Sequence, residues 1–145
     1  MTAVTAVRPG GPWQRGSDAE LGHVECRLPV HATVVALARQ LTRSVSRAWP
    51  DEDACDSVLL VLSELLGNAV KAAVGTSVWL RLSWTPRRVR IEVSDDSDAP
   101  PVARQAGVTE EGGRGLWLVS QLAVRWGSHP VGHGKCVWAE VALPG

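Results

Sequence analysis

The stretch LLVLSELLGNAVKAA, residues 59–73, decides how the chain is read. Its apolar residues run almost without a break, as in a helix buried around most of its circumference, yet Glu64, Asn68 and Lys71 interrupt them. These positions are four and three residues apart, so on a helix they share one face. A helix that only filled a core would not carry a carboxylate, an amide and an amine in line. Two readings stand open: a solvated stripe on an amphipathic helix, or the wall of a pocket. In the second, Glu64 takes a proton or positions water. Asn68 offers a carbonyl oxygen to a hard cation, and Lys71 meets phosphate.

Upstream, Pro50 and Asp51 mark the start of this helix, and the acids of PDED sit where the N-terminal dipole favours them. Gly75 supplies its stop. Before it, Val34, Leu37, Ala38, Leu41, Val45 and Ala48 recur at helical spacing over residues 31–48. HVECRL, residues 23–28, alternates apolar and polar and reads as a short edge strand ended by Pro29. Residues 1–21 hold Gly, Pro and Ser but no apolar h-region, which predicts a flexible tail and not a secretory signal.

Downstream, VWLRLSW (78–84) and VRIEVSD (89–95) alternate on either side of TPRR, a hairpin pattern. In the second strand Val89, Ile91 and Val93 form the apolar face, and by period two Asp95 falls on it as well. A carboxylate aimed at a core is costly unless something pairs with it. A strand end opening on a pocket offers such a partner, for example the exocyclic amine of a purine. Alternatively the strand stops at Ser94 and Asp95 begins the turn.

After a long irregular segment comes EGGRGLWLV, 111–119, whose glycines directly before a helix predict uncovered backbone N–H groups and an anion site, with Arg114 adding charge. A loop as long as the one before it reads as a lid or binding loop. AVRWGSH and KCVWAEVAL then close the chain as a strand pair around the Gly132–Gly134 turn. The order is β-α-α-β-β-loop-α-β-β. It predicts an α/β (α+β) two-layer sandwich on a mixed, mostly antiparallel sheet.

Composition sets outer limits. Fifteen Lys plus Arg offset fifteen Asp plus Glu, so no global field draws in nucleic acid or an anionic membrane. Arg87, Arg88 and Arg90 read as a solvated turn and strand face. The longest apolar run, Val58 to Leu62, is too short to span a bilayer. Cys26, Cys55 and Cys136 form no CxxC pair, which predicts reduced thiols in a cytoplasm. Tyr and Phe are absent, and Trp79, Trp84, Trp117, Trp126 and Trp138 read as core bulk. His129 and His133 flank a Pro- and Gly-containing turn, not a helical metal pair.

In order, ELLGNAVKAA, IEVSDDS, GGRGLWLV and GKCVWAEV resemble the signature boxes of the histidine-kinase-like (GHKL) ATPase superfamily. Within it the chain looks most like the small actinobacterial anti-sigma-factor serine/threonine kinases. The resemblance covers roughly residues 22–143. It implies a Bergerat-type ATP-binding fold over residues 22–145, with helices covering one sheet face and a lid loop at about 99–112. It also implies ATP and Mg²⁺ as cofactors. Glu64 would be the general base toward a partner hydroxyl, and Asn68 the Mg²⁺ ligand with Lys71 near the phosphates. Asp95 would accept from the adenine amine, and Gly113, Arg114, Gly115 and Leu116 would hold the lid's end against the phosphates. The implied partners are a sigma factor and a STAS-type anti-sigma-factor antagonist, with a homodimer as a further possibility and no direct contact to nucleic acid or membrane. The alternative is a non-catalytic ATP-binding or protein-interaction module of the same fold. Two positions depart from the pattern: Ser97 stands where the family has a glycine beside the base, and Cys136 is read where it often has a threonine.

Overall fold

The computed structural model describes residues 3–8, 19–31, 33–49, 54–72, 75, 77–95, 111–132 and 134–143; for 3–8 and 111–115 the description is of the backbone. Its elements are β1 (Ala3–Arg8), β2 (Gly22–Pro29), α1 (Val34–Val45), a 3-10 turn (Ser46–Ala48) and α2 (Ala54–Ala72). They continue as β3 (Ser77–Trp84), β4 (Arg88–Asp95), α3 (Glu111–Leu122), β5 (Arg125–Val131) and β6 (Gly134–Ala142). One six-stranded sheet runs in the order β1-β2-β3-β4-β6-β5.

Alternation along each strand sorts its side chains. Val24, Cys26 and Leu28 of β2 are buried, as are Val78, Leu80, Leu82 and Trp84 of β3. So are Val89, Ile91 and Val93 of β4 and Val137, Ala139 and Val141 of β6. Register joins them into rows: Cys26 lies opposite Leu80, Leu80 opposite Val93, and Val93 opposite Val137. Against this face α2 packs Val58, Val61, Leu62, Leu65, Leu66 and Ala69. Full burial of each such leucine contributes about 1.5–3 kcal/mol relative to leaving it in water. The result is a two-layer α+β sandwich with α2 central, contacting β4 and β6 below and α1 and α3 at its flanks.

Several expectations change. Residues 3–8 of the segment read as a tail form β1, antiparallel to β2 with an irregularity between Val4 and Ala6. β2 is therefore an interior strand, not an edge. No alternating apolar pattern announces β1, because a strand added at a sheet edge is held mainly by main-chain hydrogen bonds. Among the described residues every strand pairing is antiparallel, with no parallel pair to make the sheet mixed. The helix start at Pro50 and Asp51 lies outside the described residues. The TPRR turn is closed by the Thr85 hydroxyl, which accepts from the backbone N–H of Arg87 and of Arg88, both at 3.1 Å. The last hairpin turns at Gly132, whose φ of +56° suits a residue without a Cβ.

The helix-free face of the sheet is not simply solvated. Arg90 is only 8% exposed. It donates to Glu140 at 2.8 Å, and Arg88 (3.0 Å) and Arg125 (2.8 Å) donate to the same carboxylate. The Arg90 guanidinium also lies 4.2 Å from the ring centroid of Trp138. Arg90 thus leaves the solvated set because cross-strand register puts it opposite a glutamate. Of the tryptophans read as core bulk, Trp84 is buried, edge-on to Trp49, whereas Trp79 is 41% exposed on the outer face.

Candidate functional site

Helix α2 owes its orientation to three neighbours. The sheet takes the face bearing Val58, Leu62, Leu65 and Ala69. On another flank α1 docks through Arg39, which donates to the Ser63 hydroxyl at 2.8 Å and to the Leu59 carbonyl at 3.4 Å. Helical periodicity turns Glu64, Asn68 and Lys71 away from that α1 contact, toward the flank where α3 packs. Glu64 and Asn68 are half-buried and Lys71 is exposed, so the stripe begins against protein and ends in water.

Asn68 stands out in this stripe. Its Nδ2 is buried and has no hydrogen-bond partner among the described residues. Buried amides are nearly always satisfied, so this one has hydrogen-bonding capacity left for a ligand, an ion or a water. Rotation about its last torsion presents the carbonyl oxygen in place of the nitrogen. Among the described residues no cluster of three or more His, Cys, Asp or Glu side chains forms a metal cage. Mg²⁺ does not require one, since it takes one or two protein oxygens and fills its shell from phosphate and water. A lone amide oxygen therefore fits that ion.

Asp95 is the last residue of β4 and lies on the helix-covered face, as alternation requires. Its side chain is 1% exposed. The partner that such burial demands comes from the chain itself: the Lys135 ammonium stands 3.2 Å from Oδ1 and 3.1 Å from Oδ2. Lys135 is directly opposite Asp95 in the register and is itself 12% exposed at the side chain.

The next residue, Cys136, is buried as well, but on the other face. That residue pairs with Ser94 on one side and His129 on the other, and so faces the helix-free side. Burial raises its thiol pKa, and it lines an outer-face groove of about 250 Å³ with Trp79, Arg81, Glu92 and His129. Lys135, not Cys136, is the neighbour of Asp95. Counting back by two from Val141, Ala139 and Val137 would have found it.

Helix α3 also differs from expectation. It begins at Glu111, so Gly113, Arg114 and Gly115 lie inside its first turns and not in a loop ahead of it. The N–H groups at 111–113 still precede the first i−4 carbonyl within the helix and keep the positive end of the dipole. Leu116 is buried in the core beside Val119, where it anchors α3. Ser97 and residues 99–110 of the anticipated lid lie outside the described residues; 111 and 112 are helical. Three segments, on α2, at the end of β4 and at the start of α3, thus belong to the helix-covered side of the sheet, because α2 contacts both of the others. No described helix is long and apolar enough to cross a membrane.

Comparison with known proteins agrees with this arrangement. Residues 71 in number align with an uncharacterized protein of Streptomyces coelicolor at 41% identity, covering 47% of this chain and 68% of that protein. Residues 28–141 match the family described as histidine kinase-like ATPase domain, a span from the end of β2 to β6 that takes in α2, β4 and α3. The chain belongs to the histidine kinase-like ATPase family, and ATP is the nucleotide that this membership implies.

Proposed function

We propose that this domain is a cytoplasmic regulatory protein that binds Mg-ATP, engages a sigma factor and phosphorylates a serine or threonine of an anti-sigma-factor antagonist. The observation that carries the reading is the pairing of a buried acceptor, Asp95, with the orphaned amide of Asn68 on the same side of the sheet. Asp95 reads the exocyclic amine of the base. Asn68 would hold the metal through its side-chain oxygen, and Lys71, one turn on at the exposed end of the stripe, meets the charge of the phosphates. The N–H groups opening α3 face the same anionic chain.

Bound Mg²⁺ supplies charge neutralisation at the phosphates. Glu64 takes the proton from the attacking hydroxyl as its oxygen bonds to the γ-phosphorus and the bond to the β-phosphate oxygen breaks, releasing ADP. No covalent nucleophile on this chain is needed, since positioning and electrostatics carry phosphoryl transfer.

A second reading, a non-catalytic ATP-binding or protein-interaction module of the same fold, is favoured by one feature: the Asp95 carboxylate already has a cation at both oxygens. Incubation of the protein with Mg-ATP labelled at the γ-phosphate and candidate antagonist domains separates the two. Transfer to the antagonist is expected, and Glu64→Ala should keep nucleotide affinity while reducing the rate by about 10²-fold or more. Undiminished transfer by that variant would remove Glu64 from its role. Binding without transfer by the wild type selects the second reading.

A further inference from the structure

If a base docks at Asp95, as the proposed function has it, the Asp95–Lys135 pair decides which bases can be read there. A carboxylate alone only accepts hydrogen bonds. Facing position 6 of a purine, it welcomes the amine of adenine and repels the oxygen of guanine or hypoxanthine, which has no hydrogen to give. Such a site discriminates strongly, because the wrong base leaves two acceptors confronting each other with neither satisfied.

Here the acceptor does not stand alone. The Lys135 ammonium lies within hydrogen-bond distance of both carboxylate oxygens, on the same strand row and the same face. It carries three donors on a rotatable stem and no acceptor. Donor and acceptor therefore sit side by side at the place where position 6 of the base arrives. Asp95 serves an amine there, and a turn of the Lys135 head serves an oxygen.

We propose that Lys135 is a specificity-determining residue that admits 6-oxopurine nucleotides to this pocket alongside ATP. The inference rests on the nucleotide-binding reading given above and deepens it. It assigns the position 6 oxygen to Lys135 and the adenine amine to Asp95. Neutralising Lys135 should then penalise one class of base and spare the other.

Calorimetric titration of the full chain with ATP and with inosine triphosphate, in Mg²⁺, provides the test. Inosine triphosphate differs from ATP at position 6 without adding a 2-amino group, so steric exclusion at position 2 does not intrude. The quantity of interest is the ratio of the two dissociation constants, measured for the wild type, for Lys135→Met and for Lys135→Arg. Methionine keeps the length of the stem and removes the charge, and thermal unfolding of each variant establishes that it is folded. Lys135→Met is expected to raise the ratio in favour of ATP by about fivefold or more, the worth of roughly one hydrogen bond, and Lys135→Arg to raise it less than Lys135→Met does. A smaller rise in the methionine variant, with ATP still bound, overturns this inference alone. Absence of binding of either nucleotide by the wild type overturns the proposed function and this inference with it.

Discussion

Strands β4 and β6 carry two buried carboxylates on opposite faces of the same antiparallel pair. Glu140 lies opposite Arg90 on the helix-free face, and Asp95 lies opposite Lys135 on the helix-covered one. Both sit in cross-strand pairs with a cation, yet their surroundings differ. Glu140 is in mid-strand and receives Arg125 on both oxygens and one further hydrogen bond each from Arg88 and Arg90. Asp95 is at the very end of its strand and meets a lysine, whose three donors sit on a rotatable stem and not in a planar fork. A carboxylate held by three guanidiniums is built to stay. One met by a single rotatable ammonium at a strand end is the one that, under the proposed function, exchanges that partner for a nucleotide base.

The largest effect that tests this contrast is on stability. Removing Glu140 leaves three guanidiniums gathered around a buried vacancy, so Glu140→Ala should cost about 3–5 kcal/mol in denaturant unfolding. Burial alone would push the Glu140 pKa up, but the hydrogen bonds from Arg125, Arg88 and Arg90 outweigh it and the net direction is down. A depressed pKa in the folded state means that the contribution is present above the ordinary carboxylate range and is lost as pH falls through the folded value. The acid limb of the stability profile should accordingly flatten in Glu140→Gln. An acid limb identical to that of the wild type would show that the cluster is not what titrates.

Asp95 should behave in the opposite way. Asp95→Asn replaces one acceptor oxygen by a donor that opposes the adenine amine, and a loss of about 10²-fold or more in ATP affinity is expected by calorimetry. Its melting temperature should fall less than that of Glu140→Ala, because the freed lysine can reach toward water. Unchanged affinity would break the comparison, making Asp95 a second structural carboxylate. The smallest effect belongs to Asn68. Asn68→Ala should leave metal-free ATP binding near the wild-type value while removing the gain that Mg²⁺ brings, on the order of tenfold for a single charge-assisted contact. Persistence of that gain would move the metal to other ligands.

Much of this was legible in the chain. Periodicity placed α2 and its polar stripe within a few residues, since 3.6-residue spacing over a long apolar run leaves little ambiguity. Period two put Asp95 on the buried face. The neighbouring lysine was missed because a box-by-box comparison aligned Cys136 with a threonine position, whereas the side-chain period of β6 puts residue 135 inward and 136 outward. β1 was missed for a different reason: residues 3–8 are held by pairing with β2 and carry no local signal of their own. The glycines at 112, 113 and 115 read as a loop because glycine is a poor helix former, yet Leu116 and Val119 bind the segment to the core strongly enough to make it helical.

The sequence by itself determined which side chains share a face, because helix and strand periods are properties of the local backbone. From that alone came the two-layer sandwich, the Glu64–Asn68–Lys71 stripe and the inward Asp95. Which residues stand across from one another was decided only by tertiary structure, because strand register joins positions some forty or fifty residues apart in the chain. That register set Lys135 on Asp95 and three arginines on Glu140. One carboxylate was set at a strand end against a single lysine, and the other was locked into the sheet by three arginines.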